Sequence, residues 1–255
     1  MDPILEIKKI DYSYHTPDGE TKALENISFD VHSGEFVAVV GPSGCGKSTL
    51  LSLISGLLTP EKGTISINGR YLYDSKANIG YMLQHDHLFE WRTIYKNVIL
   101  GLEIQHSLTA KSRKKAHDLL KTYGLEQFSS SRPSELSGGM RQRAALIRTL
   151  VLEPDLLLLD EPFSALDYQT RLKVSNDIGQ ILRKEKKTAI LVTHDLSEAV
   201  SLADRIIILT ERPAGIAKIV PVIFSEEITS PILRRNAPEF KTYFNMIWKE
   251  LNKNE

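Results

Sequence analysis

The sequence predicts an α/β fold with a mainly parallel sheet, an antiparallel β portion and an inserted α-helical subdomain. Three observations carry this. Short apolar strands alternate with helix-length segments through most of the chain. One strand runs directly into a glycine-rich loop that opens a helix. Between Thr93 and about Leu152 the apolar spacing becomes mostly helical.

The elements follow in order. Ile27 to Val31 (ISFDV) and Glu35 to Gly41 (EFVAVVG) read as strands separated by the turn residues Ser33-Gly34. STLLSLISGLL then has helical spacing to Leu58, Pro60 and Gly63 punctuate, and GTISING reads as a hairpin strand. IGYMLQ is a short strand ending at Gln84. The helical block reads TIYKNVILGLEI, TAKSRKKAHDLLKTYG and GMRQRAALIRTLVL. Strands return as DLLLLD, TAILVTH and RIIILT, with helices between them. After about Ser225 come Pro231, Pro238 and a helical FKTYFNMIWKELNK. These boundaries predict an α/β core over 1–84 and 153–224, a helical subdomain over 85–152, and a tail over 225–255 that packs on the core or on a partner.

Bulk composition excludes several classes. At 255 residues the chain can bury a substantial core. Lys plus Arg (32) equals Asp plus Glu (32), so no global positive field draws it to nucleic acid or anionic lipid. The single cysteine, Cys45, excludes an intrachain disulfide and fits a reducing compartment. MDPILEIKKID lacks the apolar core of a secretory leader, and no apolar run reaches the ~18 to 20 residues that span a bilayer. Membrane work therefore needs another chain.

Gly41 to Thr49 read GPSGCGKST, the phosphate-binding loop of a P-loop NTPase. Gly41, Gly44 and Gly46 free the backbone to wrap phosphate oxygens with amides pointing inward, Pro42, Ser43 and Cys45 completing the loop. Lys47 neutralises β- and γ-phosphate charge, Ser48 ligates Mg²⁺, and Thr49 reaches the α- or β-phosphate. The expected ligands are ATP and Mg²⁺. Cys45 has two readings: a small loop filler, or a thiol activated by the amides of a helix N-terminus.

Four leucines lead into Asp160-Glu161-Pro162, a buried strand delivering two carboxylates at its C-terminal end, where open α/β sheets bind ligands. Asp160 suits the Mg²⁺ shell, and Glu161 suits the general base that polarises the attacking water. An acidic helix cap would explain the pair equally well without the phosphate loop.

With Leu136-Ser137-Gly138-Gly139 in the same chain, the sequence resembles an ABC-transporter ATP-binding subunit from Leu5 to about Val222. The resemblance implies that Ser137, Gly138 and Gly139 grip the γ-phosphate on an opposing subunit, so a second copy of the chain completes the site. It implies that Tyr14 stacks on adenine, with Tyr12 as runner-up. It gives Gln84 contact with Mg²⁺ and the attacking water, makes Ser164 to Asp167 the loop crossing the dimer interface, and makes His194 the switch histidine at the γ-phosphate. Taken alone, Ser137 would be a helix N-cap and His194 a surface residue.

Gln84 to Val98 (QHDHLFEWRTIYKNV) is similar to the matching segment of nitrate, sulfonate and taurine importer ATPases, with Glu90 where that group has proline. LSGGMRQR and Thr210 to Pro213 point the same way. The resemblance implies an ATPase peripheral to the cytoplasmic membrane face, working with a permease and, indirectly, a solute-binding protein. The solute would be nitrate-, sulfonate- or taurine-like, or a thiamine precursor; the alternatives are an exporter subunit or a non-transport ABC ATPase. Phe89 and Trp91 are either core of the helical block or an apolar permease contact.

Overall fold

The computed structural model describes every residue except Met1, Asp18, Lys76, Asn254 and Glu255. β1 (Leu5–Thr16) and β2 (Gly19–Val31) form a long antiparallel hairpin. β3 (Phe36–Val40) runs into the glycine loop and α1 (Lys47–Ile54). β4 (Lys62–Ile67), the two-residue β5 (Arg70–Tyr71) and β6 (Ile79–Met82) precede the helical block of α2 (Ile94–Val98), α3 (Leu100–Ile104), α4 (Ala110–Thr122) and α5 (Gly138–Leu150). β7 (Leu156–Asp160), α6 (Tyr168–Lys184), β8 (Ala189–Val192), α7 (Leu196–Leu202), β9 (Arg205–Leu209) and β10 (Ile216–Pro221) follow. The chain closes with α8 (Pro231–Asn236) and α9 (Pro238–Leu251), which pack on α6, α7 and β9.

Among the described residues there are two sheets. One is antiparallel, in the order β2-β1-β4-β5; the other runs β10-β9-β3-β8-β7-β6 and is parallel except for β10. β3, β7 and β8 are buried along their whole length, as apolar runs covered on both faces should be. Their alternating side chains feed two cores. Val37, Val39, Leu156, Leu158, Ile190 and Val192 join α1 and the antiparallel sheet. Phe36, Ala38, Leu157, Leu159, Ala189 and Leu191 join the helices, including Ile247 of α9.

β1, β10 and the front of β2 escape the sequence reading, which covers only Ile27 to Val31 of β2. β1 breaks its alternation at register shifts between Ile7 and Tyr12, with Lys9 in the left-handed region at φ 51°. The front of β2 is mostly polar and exposed, and β10 has one buried residue, Val220. None of these shows a clean period of two.

Helix starts are set by side-chain caps. Thr93 caps α2, Thr109 and Ser112 form a capping box on α4, Ser137 caps α5, Asp167 caps α6 and Asp195 caps α7. α1, α3 and α9 lack such a cap; at α1 the cap position is Gly46, whose backbone (φ 125°) suits glycine and whose missing side chain leaves room for Leu24 and the Ala23 carbonyl.

Candidate active site

A cleft of about 590 Å³ opens at the C-terminal ends of β3, β7 and β8. Ser43, Gly44, Gly46, Lys47, Ser48 and Thr49 form its floor, and Gln84, Glu161, His194 and Arg212 its walls. Strand order explains the convergence. β3 delivers the glycine loop, β8 beside it delivers His194, β7 delivers Asp160 and Glu161, and β6 at the edge delivers Gln84.

Lys47 curls back over the loop, donating to the carbonyls of Gly41 (2.9 Å) and Pro42 (2.8 Å). Ser48 donates its hydroxyl to Asp160 Oδ1 at 3.1 Å, and Tyr81 donates to Oδ2 at 3.3 Å. Asp160 is buried, and that burial pushes its carboxyl above the usual range; the Ser48 and Tyr81 hydroxyls oppose the shift. A buried carboxylate beside a serine hydroxyl is a donor set that fits Mg²⁺, which would relieve the same desolvation.

Glu161 sits at φ 44°, a left-handed conformation uncommon outside glycine and asparagine. Its amide is held by the Val192 carbonyl at 2.9 Å, which fixes the turn leaving β7. His194 Nδ1 lies 3.0 Å from Glu161 Oε2, and Gln84 Nε2 donates to the same oxygen at 3.3 Å. Three residues far apart in the chain thus meet on one carboxylate. The loop after Glu161 is tied down by Arg171, which donates to the Ser164 and Leu166 carbonyls and lies 3.5 Å from Asp195, the residue after His194.

Tyr14 borders the floor through a 3.0 Å hydrogen bond between its hydroxyl and Thr49 Oγ1. Tyr12 packs edge-on against it, more buried. Cys45 does not line the cleft. It is 2% exposed among core residues, its amide donates to Pro42, and burial pushes the thiol up rather than down. The activated-thiol reading is therefore corrected: the helix-terminus effect is outweighed by desolvation.

Ser137, Gly138, Gly139 and Asp167 do not line this cleft. Ser137 accepts the Met140 amide and Asp167 the Thr170 amide, each as a helix cap. A side chain at Gly139 would strike Thr170 and Val174, and one at Gly138 would press on Leu166. Both glycines thus let α5 approach α6 and the 164–167 loop closely.

Two contributors are invisible in the motifs. Arg212 donates to the Gly44 carbonyl, and the turn carrying it pairs with the β1–β2 hairpin through Leu24 and Ala214. Thr210 to Pro213 mark the turn, but the contact spans 168 positions. The second is Asn97, which is fully buried. It accepts the Phe89 amide at 2.8 Å and donates to the carbonyls of Phe89, Arg92 and Thr93. Arg148 adds hydrogen bonds to the Asp86 and His87 carbonyls. On that braced turn Phe89 is 37% and Trp91 74% exposed, their rings 4.7 Å apart, so neither is core.

A family model described as ABC transporter matches residues 24–164, spanning the glycine loop, the LSGG segment and the acidic pair. The chain belongs to the ABC transporter family. This ABC protein is 46% identical over 97% of its length to an uncharacterized ABC transporter ATP-binding protein, YtlC, of Bacillus subtilis, covering 95% of that relative. It is 42% identical to the aliphatic sulfonates import ATP-binding protein SsuB of Bacillus licheniformis, covering 92% of this chain and 89% of SsuB. It is 37% identical to the taurine import ATP-binding protein TauB of Roseobacter denitrificans, covering 96% and 94%. Among solved structures, a dimeric post-hydrolysis state of the ATP-binding cassette MJ0796 with ADP and Pi superposes with a TM-score of 0.74 at 30% identity. That match covers 86% of this chain and 99% of the other. The ABC protein is thus an ATP-binding subunit with the P-loop NTPase fold, and its activity is ATP hydrolysis. Among the described residues no helix is long and apolar enough to cross a membrane.

Proposed function

We propose that the chain powers an importer for a small polar solute of the sulfonate or taurine kind, or a thiamine precursor, docking on a permease at the cytoplasmic membrane face. The observation that carries the ATPase half of this reading is the convergence of Gln84 and His194 on Glu161 beside the Lys47–Ser48 floor. The similarity to SsuB and TauB supports the importer half.

In this reading Lys47 leaves the loop carbonyls to neutralise β- and γ-phosphate charge, and the loop amides of Gly44 to Thr49 cradle the phosphates. Tyr14 stacks on adenine. Ser48, Asp160 and Gln84 would hold Mg²⁺, which would supply charge neutralisation at the phosphates. Gln84 and His194 both contact Glu161 Oε2, which leaves Oε1 to take a proton from the attacking water. The water oxygen bonds to the γ-phosphorus, the bond to the bridging oxygen breaks, and its electron pair leaves with ADP.

Ser137, Gly138, Gly139 and Asp167 serve the cleft of a second copy, consistent with their absence from the lining of their own. Residues 1–84 and 153–224 act as the catalytic core, 85–152 as the helical subdomain, and 225–255 as a tail on the core. The exposed Phe89 and Trp91 on the turn braced by Asn97 are the apolar contact for the permease. Proteoliposomes holding this chain with its permease and solute-binding protein test the reading. ATP-driven accumulation of taurine, an alkanesulfonate or a thiamine precursor is expected; ATP-driven extrusion would make the subunit an exporter's.

A further inference from the structure

The β1–β2 hairpin carries a second group of donor atoms, on the face opposite Tyr14. In its register His15 stands across from Glu20, next to the Tyr14–Thr21 pair. Neighbouring side chains on a strand point to opposite faces, so Tyr14 reaches Thr49 while His15 reaches the other way. There His15 Nε2 lies 2.7 Å from Oε1 of Glu61, which sits just before β4. One donor atom from each of His15, Glu20 and Glu61 falls within 4.8 Å of the others. Buried Ser13 donates its hydroxyl to Glu20 Oε1 at 2.7 Å and so orients that carboxylate.

Among the described residues, no Lys or Arg forms an ion pair with either Glu20 or Glu61. Of the nearby ammonium groups, Lys22 sits on Glu25 and Asp11, and Lys62 sits on Asp11. One imidazole nitrogen and two carboxylate oxygens, drawn from three stretches of chain, suit a borderline metal; magnesium and calcium prefer oxygen alone. The hydroxyl of Ser13 supplies the outer support that metal-binding carboxylates commonly have.

We propose that His15, Glu20 and Glu61 bind a divalent transition metal such as Zn²⁺, with water completing its coordination. The ion fastens the β1–β2 hairpin to the start of β4, and so stiffens the arm that carries Tyr14. This site is separate from the nucleotide cleft and does not depend on what the ATPase drives.

The test uses the full, untagged chain free of nucleotide and metal. Zn²⁺ is titrated by calorimetry and Co²⁺ by visible absorption, in the wild type and in His15→Ala, Glu20→Gln and Glu61→Gln. Loss of an outer-shell partner alone costs about 10- to 100-fold in metal affinity, so loss of a ligand should cost about tenfold or more. One equivalent should bind the wild type, and each variant should lose that equivalent along with the Co²⁺ d–d bands. His85, His87 and His194 also offer imidazoles, so the difference between wild type and variants is the deciding quantity. Equal binding by wild type and variants would make the ion adventitious. No stoichiometric binding to the wild type would leave His15 and Glu61 as a plain hydrogen-bonded pair. The three residues are exposed, and metal-free melting temperatures report whether each variant folds. A rise in melting temperature with Zn²⁺ in the wild type alone is the second expected sign.

Discussion

Glu161 and His194 touch, with Oε2 of the carboxylate 3.0 Å from Nδ1 of the imidazole. One follows β7 and the other follows the adjacent parallel strand β8, so the pairing of two buried strands brings them together. Glu161→Gln keeps the shape and removes the base. It should slow hydrolysis by roughly 100-fold or more while ATP still binds. ATP-bound dimers should then accumulate, measurable by size-exclusion chromatography with and without Mg-ATP. Near-normal turnover would take Glu161 out of the base role.

Ser137 caps its own helix yet lies outside its own cleft. Ser137→Arg should abolish ATP-driven dimerisation while a fluorescent ATP analogue still binds the dilute monomer. Loss of that monomer binding would show that Ser137 serves the nucleotide of its own chain.

How much of this was legible depends on where the contacts lie in the chain. Lys47, Ser48, Asp160 and Glu161 sit in contiguous motifs whose strand-to-loop context can be read directly. Arg212 could not be read in this way, because its partner Gly44 is 168 positions away. Asn97 looked like one more polar residue in a helical run, and its hydrogen bonds exist only once α2 packs under the Phe89 turn. The direction of the Cys45 side chain was equally hidden, since the motif constrains the loop backbone and leaves that position open. β1 was lost because its bulges shift which face each residue takes.

Cys45 should resist alkylation. Its thiol is buried and its pKa raised, so little thiolate is available to attack. Maleimide should label the native chain slowly with or without Mg-ATP and quickly after denaturation. Rapid labelling of the native protein, blocked by Mg-ATP, would mean that the loop opens toward solvent.

Phe89 and Trp91 are exposed, so replacing both with Ser should leave the fold and the free subunit's ATPase intact. Burying each ring against a permease could contribute on the order of 1.5 to 3 kcal/mol. The double variant should therefore lose permease pull-down and solute uptake together. Simultaneous loss of the isolated ATPase would assign these rings a role inside the subunit. Asn97→Ala, which releases the turn beneath them, should destabilise the chain as well.

Glu198 is buried in α7 behind His194 and accepts the Thr193 hydroxyl at 2.7 Å. Its pKa is raised from 4.5 to about 7, chiefly by burial and also by nearby Asp195, against the Thr193 hydroxyl, Arg171 and Arg235. A carboxyl with a raised native pKa contributes stability that is full below about 4.5 and is lost as pH climbs toward 7. That loss amounts to as much as about 3 kcal/mol. Glu198→Gln should flatten this part of the stability profile and melt higher than the wild type above pH 7. Parallel profiles would show that Glu198 is not neutral in the native protein.

Arg171 holds the carbonyls of Ser164 and Leu166 and also faces Asp195. The stretch that meets the other copy in the proposed dimer is thereby bolted to the stretch bearing His194. A displacement of either stretch is resisted by the same guanidinium. In the proposed dimer that link would couple the two nucleotides, and ATPase activity should then rise sigmoidally with ATP concentration.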